Sequence, residues 1–161
     1  MVQSKEYYRS IIEGSNALNV LMPFGALWFG SIPIDVHIAS SDIDIICIFQ
    51  DDLNEVLTSN FGQEKDFSLR TDARKLIANF TFNDVPFEIY AERTEPVKQL
   101  AYLHMLAEAY LLRIHGEPLR KEVRSLKEQG LKTEPAFAKA LDIDGDPYQE
   151  LLRFVDYGSK A

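Results

Sequence analysis

Asp42-Ile43-Asp44-Ile45-Ile46-Cys47-Ile48-Phe49 is the stretch on which the architecture of this chain turns. Apolar and mostly β-branched after its opening acids, it reads as a strand covered on both faces and placed at the centre of a sheet. Side chains two residues apart on a strand share a face, so Asp42 and Asp44 point the same way, roughly 6 to 7 Å apart along the backbone. They sit at the start of the strand, where water and substrate arrive, while Ile43 and Ile45 turn into the core. Two carboxylates aimed together repel each other unless a cation lies between them, and Mg²⁺ (or Mn²⁺) is the usual partner when phosphate oxygens complete its shell. Read without its surroundings, the pair fits a strand-capping acid beside a solvent-facing one better than a metal site.

Upstream, Ala26-Leu27-Trp28-Phe29 reads as a short buried strand that stops at Gly30-Ser31. Glycine lets the backbone turn sharply and approach a phosphate closely, and the Ser31 hydroxyl with the exposed N–H groups can bind its oxygens. Residues 32–41 then form a hairpin-like excursion. Further upstream, Lys5 to Leu21 has near-helical apolar spacing with a weak point at Gly14-Ser15-Asn16. Downstream, Asp51 to Asn60 is a short helix, with Asp51 or Asp52 placed to cap it and Gly62 to end it. The period then changes to two: Phe67–Arg70, Leu76–Phe82 and Val85–Ala91 are strands, the last two joined by a tight Asn83-Asp84 turn. In the last of them Val85, Phe87, Ile89 and Ala91 form the apolar face, which leaves Glu88 on the other with Pro86 and Tyr90.

From Pro96 the pattern is helical, over Val97–Ile114, Glu117–Gln129, Glu134–Leu141 and Pro147–Tyr157. Gly116 and Gly130 are expected to end two of these helices, Thr133 to cap the third, and Asp146-Pro147 to open the fourth. Strands gathered early and helices late mean an α+β fold: a mixed sheet with helices packed behind it and a helical C-terminal part. Residues 1–95 are expected to form the core that carries the site, and residues 96–161 a helical part packed on it rather than an independent unit.

Of 161 residues, 17 are Lys or Arg and 25 Asp or Glu, a net charge of −8 that disfavours a general duplex-binding surface and favours a small-molecule or nucleotide substrate. No apolar run approaches the roughly 20 residues that span a bilayer, and the first residues lack the pattern of a signal peptide. A cytoplasmic location is expected, in keeping with a single cysteine, Cys47, read as a buried inert thiol. Asp142-x-Asp144-Gly145-Asp146 has its glycine too early for a calcium loop and reads as a turn. His37, His104 and His115 are expected on surfaces or helix faces. No G-x-x-x-x-G-K, G-x-G-x-x-G, C-x-x-C or H-E-x-x-H occurs, which removes P-loop, Rossmann, zinc-ribbon and metalloprotease readings.

Phe29-Gly30-Ser31, a ten-residue spacer and Asp42-Ile43-Asp44-Ile45 resemble the signature of the DNA polymerase β-like nucleotidyltransferase superfamily, whose third acid comes from a later strand, here Phe87-Glu88-Ile89. Gly30-Ser31-Ile32-Pro33-Ile34-Asp35, residues 132–138 and Gly145-Asp146-Pro147-Tyr148 further resemble an uncharacterised bacterial family assigned to that superfamily. The resemblance implies a nucleotidyltransferase fold in which Asp42 and Asp44 hold Mg²⁺ on a nucleoside triphosphate and Gly30 and Ser31 cradle its outer phosphates. It also implies that Glu88 joins the metal site or activates a hydroxyl acceptor, with pyrophosphate released. The acceptor would be a small molecule or a protein sooner than a nucleic acid. Arg70, Arg74, Lys75 and Arg93 are the cations expected near the site. Two rival readings keep the fold: a catalytically silent nucleotide-binding or interaction module, and a toxin–antitoxin partner.

Overall fold

The computed structural model describes residues 1–155. Ser4 opens helix α1 (Lys5–Ser15) by accepting a hydrogen bond from the Tyr7 amide, and Asn16 interrupts it in the left-handed region at φ 60° before α2 (Ala17–Val20), at the weak point the sequence marks. Strand β1 (Leu27–Phe29) leads through an irregular loop to β2 (Ile43–Ile48), and α3 (Leu53–Phe61) precedes β3 (Lys65–Thr71), β4 (Lys75–Phe82) and β5 (Val85–Glu92). Asn83 and Asp84, both at positive φ, make the two-residue turn between β4 and β5. The expected cap of α3 is absent: Asp52 occupies the N-cap position in a helical conformation with no side-chain bond.

The sheet runs β1-β2-β5-β4-β3, with β2 and β5 parallel and the other neighbours antiparallel. β2 is therefore interior but not central. The middle position belongs to β5, because the chain returns beside β2 only after completing β3 and β4. One sheet face carries Ile43, Ile45, Cys47, Leu76, Ala78, Phe80, Phe87 and Ile89, packed with α1 and α3 residues such as Tyr8, Ile12, Leu53 and Leu57 in one core. Phe61, Phe80 and Phe87 stack in series at 4.6 and 4.8 Å between ring centroids, each pair contributing about 0.5–1.5 kcal/mol beyond the area it buries.

Helix α4 (Leu100–Glu128) is broken at Gly116 (φ 68°, ψ −153°), with Pro118 just beyond, where the sequence divides two helices. Its predicted start at Val97 is instead a 3₁₀ turn, Pro96–Lys98, after which Gln99 takes the N-cap position. The buried Gln99 amide donates to Cys47 O (2.9 Å) and Thr94 O (2.8 Å), tying this end of α4 to the end of β2. α5 (Thr133–Ala140) begins at Thr133 itself, with Lys132 at the N-cap position and no side-chain cap, whereas Asp146 does cap α6 (Pro147–Glu150) through the Tyr148 amide. A 3₁₀ segment, Leu151–Phe154, follows; the expected helix end at Tyr157 lies outside the described residues. The second half of α4, α5 and Leu151 bury a second core around Val36.

That core fastens the loop between β1 and β2. Arg120 Nη1 donates to Ile34 O (2.7 Å) and Lys127 Nζ to Val36 O (3.1 Å), while Lys5 Nζ donates to Pro33 O (2.8 Å) from α1. His37 is buried against Tyr8, its Nε2 2.8 Å from Gln3 O; this histidine serves the interior, contrary to its expected surface place, whereas His115 is exposed. Residues 33–37 of the loop are thereby held in place.

Candidate active site

Strand register lays the site out in rows across the sheet face opposite α1 and α3. Phe29 pairs with Asp44, Asp44 with Glu88 and Glu88 with Asn79. Neighbouring strands lie about 4.8 Å apart, so Asp44 and Glu88 stand side by side on one face. Asp42 precedes β2 by one residue and keeps the alternation, bringing all three acids to a single cleft of about 660 Å³ together with Gly30 and Ser31. Asn79 Nδ2 approaches Glu88 Oε2 at 3.5 Å from the next strand.

Gly30 sits at φ 92°, and a β-carbon there would lie 2.5 Å from Asp44 Oδ2. The position thus demands glycine twice, for its backbone conformation and for the carboxylate pressed against it. Ser31 follows, nearly buried at the cleft wall, with its carbonyl accepting from the Val36 amide.

The helical wall brings charges that spacing did not identify. Glu108 and Lys127 are buried and line the same cleft, as do His104, Lys132, Glu134 and Tyr148. The signal was present: Glu108 lies one turn after His104 and one before Leu112, and Lys127 one turn after Val123, so both occupy the buried stripe of α4, where a charge needs a reason. His104 is structural, its Nε2 2.6 Å from Tyr148 O and its Nδ1 3.9 Å from Glu134 Oε1. The expected cations Arg74, Lys75 and Arg93 line a neighbouring cavity, at the start of β4 and just past the end of β5, and Arg70, on β3, lines a third.

Burial pushes the Asp44 carboxyl up to about 8, with the fields of Glu88 and Asp42 adding to the effect and Lys127 opposing it. Burial also raises Asp42, against Lys132, and raises Glu108 well above the carboxylate range, helped by Glu134 and opposed by Lys127. Burial lowers Lys127 against the pull of Glu108, Asp44 and Glu134. Burial thus holds Asp44 and Glu108 toward their protonated forms, and a cation in the cleft would favour the ionised ones. Among the described residues no group of three or more His, Cys, Asp or Glu side chains is placed to hold a metal ion; the acids line a shared open cleft. Cys47 is wholly buried, its thiol pushed up to about 12 by burial, and stands apart as an inert core residue.

A family model described as a domain of unknown function, DUF4269, matches residues 10–154, and the chain belongs to that family. No curated protein matches it. Among solved structures, the GLD-2/RNP-8 complex is similar at a TM-score of 0.59 and 14% identity, over 95% of this chain and 76% of that one. A Cid1 poly(U) polymerase mutant bound to MgATP is similar at 0.62 and 15%, over 93% of this chain and 49% of that one. Cid1 with the UTP analogue UMPNPP is similar at 0.62 and 16%, over 87% and 48%. The chain thus spans about half the length of these Cid1 structures, and at such identities the likeness shows the fold, that of the nucleotidyltransferases. Among the described residues no helix is long and apolar enough to cross a membrane.

Proposed function

We propose that this chain transfers a nucleoside monophosphate from a nucleoside triphosphate to a hydroxyl acceptor and releases pyrophosphate. The observation that carries the reading is the placement of Asp42, Asp44 and Glu88 on one cleft with Gly30 pressed against Asp44. The donor set suits a hard divalent cation: recessed carboxylate oxygens, with Glu88 and Asp42 adding to the burial that raises Asp44, left open on the side where phosphate oxygens and water would complete the shell. Asp42, Asp44 and Glu88 would hold Mg²⁺ or Mn²⁺, which would supply Lewis-acid neutralisation of the triphosphate.

The chain's own groups do the rest. Gly30 keeps the backbone close to the phosphates, where its N–H and the Ser31 hydroxyl bind the outer oxygens. Lys127 and Lys132 balance triphosphate charge from the helical wall. The acceptor oxygen bonds to the α-phosphorus as the bond to pyrophosphate breaks, and Glu88 or solvent takes the hydroxyl proton. A second reading, a silent nucleotide-binding module, is favoured because among the described residues no three His, Cys, Asp or Glu side chains are grouped closely enough to hold a metal ion.

Incubation with α-labelled nucleoside triphosphates, Mg²⁺ or Mn²⁺ and cell extract separates the two. Label transfer with pyrophosphate release by wild type, lost in Asp42→Asn/Asp44→Asn, supports transfer. Triphosphate binding without pyrophosphate release supports the silent module.

A further inference from the structure

The outward face of β5 continues past the acid cleft. Glu88, Tyr90 and Glu92 follow one another on it, about 13 Å from first to last. Tyr90 lines both the acid cleft and a second cavity of about 560 Å³, walled by Arg74, Lys75 and Arg93 with Asp72 and Glu92. The two acids there are engaged locally. Asp72 Oδ1 accepts from the Arg74 and Lys75 amides (2.7 and 3.0 Å), and Glu92 accepts from the Tyr90 hydroxyl. Lys75 is the cross-strand neighbour of Glu92, yet neither Arg74 nor Lys75 forms an ion pair among the described residues. Arg93 is fixed over the Phe49 ring, 4.2 Å from its centroid, with Asp51 at 3.0 Å. An acidic chain therefore presents two cations that form no ion pair, though both feel the nearby Asp72 carboxylate, and a fixed third next to its acid site, across one aromatic ring.

We infer that this second cavity anchors a phosphate-bearing acceptor, whose hydroxyl reaches Glu88 across the Tyr90 ring. The inference rests on the nucleotidyl-transfer reading for what happens at Glu88, but the anion site stands on its own residues. Arg74 and Lys75 hold the anionic group as direct charge partners, and the Tyr90 ring, held by Glu92, gives a flat surface for the sugar or base between handle and hydroxyl. The handle is a phosphate of a short single strand or of a free phosphorylated sugar; both present the same oxygens.

The test uses the full chain with two probes at about 50 mM salt, a fluorescent hexauridylate with a free 3′ hydroxyl and ribose 5-phosphate. Arg74→Ser/Lys75→Ser leaves the backbone bonds of Asp72 in place, and Lys121→Ser, at an exposed position of α4, is the control. The expected result is binding of at least one probe, weakened about 10-fold or more by the double substitution and unchanged by the control. If the hexamer is the ligand, its log–log salt slope flattens by about 1.4. Binding of the hexamer alone identifies a strand phosphate, and binding of ribose 5-phosphate a free one. Equal affinity in wild type and double variant, or no binding of either probe, overturns the inference. A triphosphate analogue with Mn²⁺ is measured alongside: its failure to bind while a phosphate probe still depends on Arg74 and Lys75 counts against nucleotidyl transfer and leaves the anion site standing.

Discussion

Replacing Asp44 by Asn should stabilise the metal-free protein while destroying its site. Asp44 moves from an ordinary 3.8 in the unfolded chain to about 8 in the folded one, driven by burial, Glu88 and Asp42. A carboxyl raised on folding holds its proton in the native state after the unfolded chain has released it. Its contribution is whole below the unfolded value and is lost as pH rises from about 4 toward about 8. At pH 7 the unfolded group is about 3.2 units past its midpoint, and at 1.36 kcal/mol per unit the ceiling is about 4 kcal/mol. Relaxation and water entry in an open cleft reduce this to about 2 kcal/mol. Asparagine copies the neutral acid and is spared the loss. For a chain of this length about 2 kcal/mol is about 4–8 °C in Tm. Melting curves by circular dichroism at pH 4 and pH 7.5, with chelator, should show the variant about 4–8 °C above wild type at the higher pH and nearly equal to it at the lower. Adding Mn²⁺ with a triphosphate analogue should raise wild type and leave the variant unmoved. A variant less stable than wild type at pH 7.5, or a gap independent of pH, would refute the reasoning that burial, with Glu88 and Asp42 adding to it, strains the ionised Asp44.

Three further substitutions probe the frame around that acid. Gly30→Ala places a β-carbon against Asp44 Oδ2 at a φ that L residues avoid; denaturant titration should show a loss of about 1–3 kcal/mol, with triphosphate binding lost as well. Lys127→Met removes the buried cation that opposes Asp44 and Glu108 and leaves Val36 O unbonded; calorimetry should show triphosphate affinity down about 10-fold. Gln99→Leu strands the Cys47 and Thr94 carbonyls, and the unfolding midpoint in urea should fall by an amount equivalent to about 1–3 kcal/mol.

The acids were legible because their spacing and the strand period are the same physical fact. Alternation in Val85–Glu92 isolates Glu88 from its apolar neighbours, and the parallel register then sets it beside Asp44. Gly30 was legible as a turn, but the carboxylate pressed against it is a cross-strand contact with no local trace. The position of β2 beside an edge strand, and not at the centre, depends on where β5 inserts, which local pattern does not specify. The helical period marks Lys127 and Glu108 as charges on a buried stripe, but what they face depends on the opposing wall, which the sequence does not specify. Here that wall is the acid cleft and the loop at Val36. Spacing names the cations near Tyr90 without ranking them; a hairpin turn places Arg74 and Lys75 at the far end of the strands that carry Asn79 and Glu88, in the neighbouring cavity.

The most direct test of the three-acid site is anomalous diffraction from crystals grown with Mn²⁺ and a non-hydrolysable triphosphate analogue. The account predicts manganese among Asp42, Asp44 and Glu88, with the outer phosphates against the Gly30 and Ser31 backbone. Manganese bound elsewhere, or a triphosphate seated away from Gly30, would contradict it.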